Sequence, residues 1–83
     1  MHIGKHIKEV MTRQGVSVIQ LAEAIHCERA NVYNIFKRES IDTDILTRIC
    51  RVLNYDFFKD ISDEVFEKKD TELIFRYTAD FSK

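Results

Sequence analysis

Apolar residues recur along the first two thirds of the chain at helical spacing, and each run ends at a residue able to break a helix. Ile3, Ile7, Val10 and Met11 fall on one face, and Gly15 follows where a left-handed residue closes a helix, which predicts a first helix over Ile3 to Gln14. Ser17 opens the next run. Gln20, three residues later, completes a capping box in which each side chain satisfies the other's free backbone amide. Val18, Leu21, Ala22 and Ile25 then keep the i, i+3, i+4, i+7 spacing, so a second helix runs to about Ile25 or His26. The break at His26 and Cys27 holds no glycine, so one turn residue must accept a left-handed or otherwise costly conformation, which His tolerates better than a β-branched residue. Val32, Ile35 and Phe36 resume the spacing on a third helix from Glu28 or Arg29 to about Lys37. A polar loop of Arg38, Glu39 and Ser40 follows. Asp42 caps a fourth helix striped by Leu46, Ile49, Cys50 and Leu53, and Phe57, Phe58 and Ile61 predict a short fifth helix that closes the core.

Beyond Ile61 the pattern changes. Ser62 to Asp70 is polar and acidic, whereas in Thr71 to Phe81 the apolar Leu73, Phe75 and Tyr77 alternate with Glu72, Arg76 and Thr78, broken only by Ile74, a pattern that suits a strand. A lone strand needs a partner. It can pair with its two-fold mate in a homodimer; an amphipathic helix laid on the core and a free tail are the other outcomes. The preferred reading is an ordered interaction segment that dimerises or holds a protein partner through residues 71–81. The chain thus divides into a helical domain, 1–61, and an extension, 62–83. The expected fold is all-α, a compact bundle of four to five helices whose C-terminal extension carries the one candidate strand.

Composition narrows the class. Eighty-three residues with 45 % hydrophobic and 33 % charged content suit one small domain with a single core, for which dimerisation would add stability. Cys27 and Cys50 form no CxxC pair and read as small buried hydrophobes in a reducing compartment. No apolar run has the length of a membrane span, and no signal-peptide core follows Met1, so the expected location is the cytoplasm, with no membrane partner. The net charge of −1 is unevenly divided. Met1 to Asn54 holds eight Lys and Arg against six Asp and Glu, net +2; Tyr55 to Lys83 holds five against eight, net −3. The excess of positive charge is small, but it coincides with the second and third helices.

Those two helices have so short a connection that they must cross steeply, with Ala22 small enough to sit at the crossing. This is a helix-turn-helix arrangement, in which the second member of the pair enters the major groove of DNA. The segments IGKHIKEV, Gly15-Val16-Ser17, LAEAI at Leu21 to Ile25, the Val32 and Ile35 pair, and ILTRICRVLNYDFF from Ile45 appear in an order and spacing that resemble the Cro/C1-type helix-turn-helix family, the XRE group of bacterial and phage regulators. The resemblance covers roughly seven tenths of the chain, from Ile3 to about Ile61. It implies a bundle of the lambda-repressor-like type and operator binding as a homodimer. Several positions depart from the family pattern. Members often have glutamine in place of Val18, glycine in place of His26 and Arg38, and serine or threonine in place of Glu28. An arginine and glutamate ion pair is also frequent where this chain has Met11 and Phe36, so these two apolar side chains are expected to pack together, without the desolvation cost of a buried ion pair.

With Val32, Ile35 and Phe36 turned inward, the outer face of the third helix carries the candidate readers. Arg29, Ala30, Asn31, Tyr33 and Asn34 are the base-reading candidates: arginine pairs with guanine O6 and N7, asparagine with adenine N6 and N7, and alanine meets a thymine methyl. Ser17, Lys37 and Arg38 are the phosphate candidates. A solvated helix face also carries polar residues, but one rich in glutamate and lysine is commoner than this Arg-Ala-Asn-x-Tyr-Asn set. His2 and His6 stand at i, i+4 without a third ligand and read as a solvated helix start, so no metal site is assigned. No cofactor motif and no catalytic constellation is present, and enzyme activity is not expected. The leading expectation is a dimeric, sequence-specific DNA-binding transcriptional regulator, with repression as its usual mode. The alternative is a protein-interaction module or antitoxin-like adaptor on the same fold, with DNA contact secondary.

Overall fold

A computed structural model describes residues 1–66. Its five helices are α1 (Ile3–Gln14), α2 (Val18–Ala24), α3 (Arg29–Phe36), α4 (Thr43–Leu53) and α5 (Phe57–Val65), and no strand occurs among the described residues. The segment read as a strand, Thr71 to Phe81, lies outside them. Helix α5 runs past Ile61 as far as Val65, through the polar stretch that follows the apolar stripe.

Local chemistry accounts for the helix boundaries. Gly15, His26 and Asn54 take left-handed φ values of 71°, 57° and 49°. Each is followed by a residue whose N–H reaches five residues back, Val16 to Met11 O, Cys27 to Ala22 O and Tyr55 to Cys50 O, at 2.9, 2.9 and 3.0 Å. Helices α1, α2 and α4 therefore end in the same Schellman motif. At the N-termini, the Ser17 and Gln20 capping box forms, and the side chains of Asp42 and Asp56 accept from Ile45 N–H and Lys59 N–H. His2 caps α1 through Nδ1, which accepts from Lys5 N–H at 3.1 Å.

The two amides ahead of that cap are satisfied from elsewhere in the fold. Ile3 N–H donates to Glu39 O at 3.0 Å and Gly4 N–H to Arg38 O at 2.9 Å, so the start of α1 is hydrogen-bonded to the loop that follows α3. Helix α1 can come this close because residue 4 has no side chain. A Cβ built on Gly4 would lie 2.2 Å from Ile35 O and 2.5 Å from Phe36 O. The end of α3 is thereby fixed against α1 by backbone contact.

The core consists of the stripes read from the sequence. Ile7, Leu21, Val32, Ile49 and Phe57 are fully buried, and Ala22 is buried with them. Met11 lies in this core, and Phe36 packs against the core cluster from α3. Three expectations need correction. Phe58 is 39 % exposed while Phe57 is wholly buried, because one step along a helix turns a side chain by about 100° and the phase of α5 points Phe57 into the core and carries Phe58 to its margin. Cys27 and Cys50 are free thiols that pack against the core half-buried, at its margin. His6 belongs to a polar anchor instead of a solvated helix start.

That anchor docks α5 onto α1. The His6 ring donates Nε2–H to Asp60 Oδ2 at 2.6 Å and meets the Phe57 ring edge-on, with centroids 5.4 Å apart. Tyr55 O–H donates to the same carboxylate oxygen. The Tyr55 hydrogen bond, then that of His6, holds the Asp60 carboxyl below its ordinary value, and the Asp60 bond raises Tyr55 above its own. A carboxylate with a lowered folded pKa adds stability that is present above its unfolded value, near 4, and is lost as pH falls through the folded value. Urea midpoints of the wild-type protein and Asp60→Asn should therefore differ at pH 7 and converge as the pH drops below about 4. A difference that persists undiminished at pH 3 would show that the ionised carboxylate is not what holds α5.

Candidate nucleic-acid interface

Helix α3 is held on its inner side by Val32 and Ile35, which leaves Arg29, Ala30, Asn31, Tyr33, Asn34 and Lys37 exposed to solvent. These residues project along two flanks. Arg29, Ala30 and Tyr33 line a shallow groove against α2, shared with Ile19, Glu23 and Glu28. Asn31, Asn34 and Arg38 line a cleft on the opposite side, against α4 and the α2–α3 turn. The ring of Tyr33 stands edge-on to Phe36, with centroids 6.1 Å apart, which orients it while leaving it 54 % exposed.

The phosphate candidates are equally accessible. The Ser17 hydroxyl accepts from Gln20 N–H at 3.1 Å, which leaves its own O–H proton available to an anion. Lys37 forms the C-cap of α3, and Arg38 follows it at the cleft. Val18 packs against the core instead of offering a polar group at the start of α2. Glu28 takes the N-cap of α3 without a side-chain hydrogen bond, so α3 alone among the five helices opens with no side-chain cap. Burial first, and then the Glu28 carboxylate, push the neighbouring Cys27 thiol up, so it stays neutral and serves as a packing group.

One residue of this surface was not read from the sequence. Arg48 on α4 faces the same cleft as Asn31, Asn34, Arg38 and the turn residue His26. The spacing from Ile45 and Ile49 places Arg48 beside the core stripe of α4, but which helix that side of α4 meets depends on the crossing angle. Elsewhere, no group of three His, Cys, Asp or Glu residues comes together among the described residues. No helix among them is long and apolar enough to cross a membrane.

This arrangement is a helix-turn-helix with an exposed, polar second helix. Comparison with curated proteins gave no match, and neither did comparison with solved structures. The family model for the Cro/C1-type HTH DNA-binding domain matches residues 6–65, which takes in all of α2 to α5 and most of α1. The chain therefore belongs to the Cro/C1-type helix-turn-helix DNA-binding family.

Proposed function

We propose that this protein is a sequence-specific transcriptional regulator that binds double-stranded DNA as a homodimer, with α3 in the major groove. The observation that carries the reading is the exposed face of α3, where two carboxamides, a guanidinium, a phenol and a methyl are presented from a helix whose other side is locked in the core. Arg29, Ala30, Asn31, Tyr33 and Asn34 read base edges, while Ser17, Lys37 and Arg38 fix register on phosphates. Two such helices in a dimer reach successive major grooves about 34 Å apart, so the operator is a partial palindrome. The extension through residues 71–81 supplies the dimer contact.

Selection from a randomised duplex pool at two salt concentrations tests this. A palindromic motif should emerge, and Arg29→Ala should relax selection at one base pair per half-site, a loss of about 1–3 kcal/mol in discrimination. No enrichment at low salt would sink the reading.

A second reading draws on the groove between α2 and α3. Ile19 and Tyr33 are 50 % and 54 % exposed there beside the carboxylates Glu23 and Glu28, a combination suited to a protein surface. In that case α2 and α3 hold a protein partner, as an antitoxin or adaptor does, and DNA contact is secondary. The same selection separates the two readings, because a protein-binding surface yields no palindrome.

A further inference from the structure

The cleft between the α2–α3 turn, α3 and α4 has a volume of about 270 Å³ and a composition unlike the rest of the surface. Two guanidiniums, Arg38 and Arg48, an imidazole, His26, and two carboxamides, Asn31 and Asn34, converge on it from four parts of the chain. No carboxylate lines it among the described residues. None of these five side chains forms a hydrogen bond or an ion pair with another described residue. Asp44 stands one turn before Arg48 on α4, at the spacing of an i, i+4 pair, yet the pair is not formed.

Unpaired arginines that share a cleft repel one another, and an anion between them removes that cost. A guanidinium fork matches the geometry of phosphate oxygens, and a carboxamide N–H adds a neutral donor beside it. The space is several times the ~30 Å³ that one water occupies in the liquid, enough for a tetrahedral anion with bridging waters. The apolar side chains of Ile25, Ile35 and Ile45 and the Cys27 thiol complete the lining.

We infer that this cleft binds a phosphate group through Arg48, Arg38 and the Asn31 and Asn34 carboxamides. Its position on the α4 flank of α3 makes a DNA backbone phosphate the natural source, because a helix lying in the major groove has a phosphodiester wall along each side. That choice of source rests on the DNA-binding reading above; the cleft chemistry does not. It also gives Asn31 and Asn34 a second role. One N–H of each carboxamide engaged with phosphate holds the flank of α3 at a set depth in the groove, and the second N–H and the oxygen remain for base edges beside Arg29, Ala30 and Tyr33.

The test uses the full chain and Arg48→Gln, with Arg48→Lys as a charge-preserving companion and equal thermal midpoints as the folding control. Duplex binding is measured by fluorescence anisotropy across a salt series. A parallel series replaces single phosphates by neutral methylphosphonates. Arg48→Gln should weaken binding about tenfold on every sequence alike and reduce the slope of log K against log salt by about 0.9. Neutralising one phosphate per half-site should weaken the wild-type protein by a larger factor than Arg48→Gln, which keeps only the Arg38 and carboxamide contacts, and Arg48→Lys should restore the slope more fully than the affinity. Inorganic phosphate is titrated separately against the Asn side-chain amide signals in NMR spectra.

Wild-type and Arg48→Gln proteins that bind DNA with the same affinity and slope, together with unmoved amide signals, would overturn the cleft and leave the DNA reading intact. If the wild-type protein binds no DNA but phosphate shifts the Asn31 and Asn34 amides in an Arg48-dependent way, the cleft stands with a free phosphate compound as its ligand and the DNA reading falls. No DNA binding and no shift would overturn both.

Discussion

Gly4→Ala is expected to lower the stability of the folded domain by about 3 kcal/mol. The new methyl carbon would lie 2.2 and 2.5 Å from the carbonyl oxygens of Ile35 and Phe36, where ordinary contact begins near 3.4 Å. These are backbone atoms at the end of α3, so no rotamer change relieves the clash, and α1 and α3 must separate by about 1 Å. Overpacking of this kind costs ~1–3 kcal/mol. Separation also strains the hydrogen bonds from Ile3 and Gly4 to the carbonyls of Glu39 and Arg38, each worth roughly 1 kcal/mol net. At ~0.05–0.15 kcal/mol per residue, the 66 described residues have roughly 3–10 kcal/mol in all, so the loss is a large fraction of the total. The melting midpoint should fall by on the order of 15 °C. Gly15→Ala is the control: a Cβ there meets nothing within 4 Å, and only its φ of +71° opposes substitution, at about 1 kcal/mol. If both variants lose the same small amount, the close approach of α1 to α3 is not rigid.

Phe57→Ala should be the most damaging of the single substitutions considered, at about 3–5 kcal/mol. The side chain is completely buried at the first position of α5, and its ring meets those of His6 and Tyr55 at centroid distances of 5.4 and 4.7 Å. Truncation leaves a cavity and removes the wedge around which the hydrogen bonds to Asp60 are arranged. Urea denaturation followed by circular dichroism should show a midpoint near zero denaturant at 37 °C. Phe58→Ala, one residue away and 39 % exposed, should change stability by less than about 1 kcal/mol. Equal losses at the two positions would mean that α5 is not docked in this register.

These effects fall on residues whose importance was unequally legible in the chain. The Ser17 and Gln20 capping box, the left-handed Gly15 and His26, the Asp42 cap and the limits of α1 follow from neighbours within about five residues and appear as read, while α2 and α3 each end about one residue before the read limit. Phe57 and Phe58 were indistinguishable until the start of α5 set their phase. Gly4 carries no mark in the sequence, because a glycine inside a helix reads as a local cost and the reason for it lies 31 residues away in α3. The His6 and Asp60 pair spans 54 positions and has no periodic signature.

The candidate interface divides in the same way. That α3 presents Arg29, Ala30, Asn31, Tyr33 and Asn34 outward follows from its own 3.6-residue period. That the asparagines share a cleft with His26, Arg38 and Arg48, while Arg29 and Tyr33 look toward α2, does not. Hydrophobic periodicity, caps and turn residues act over one or two helical turns, so the sequence by itself determined which segments are helices and, for α1 to α4, about where each one stops and which face it buries. The directions in which those helices cross depend on many weak contacts and on backbone approaches such as Gly4 to Ile35. Only the tertiary structure could decide which exposed side chains meet to form a site.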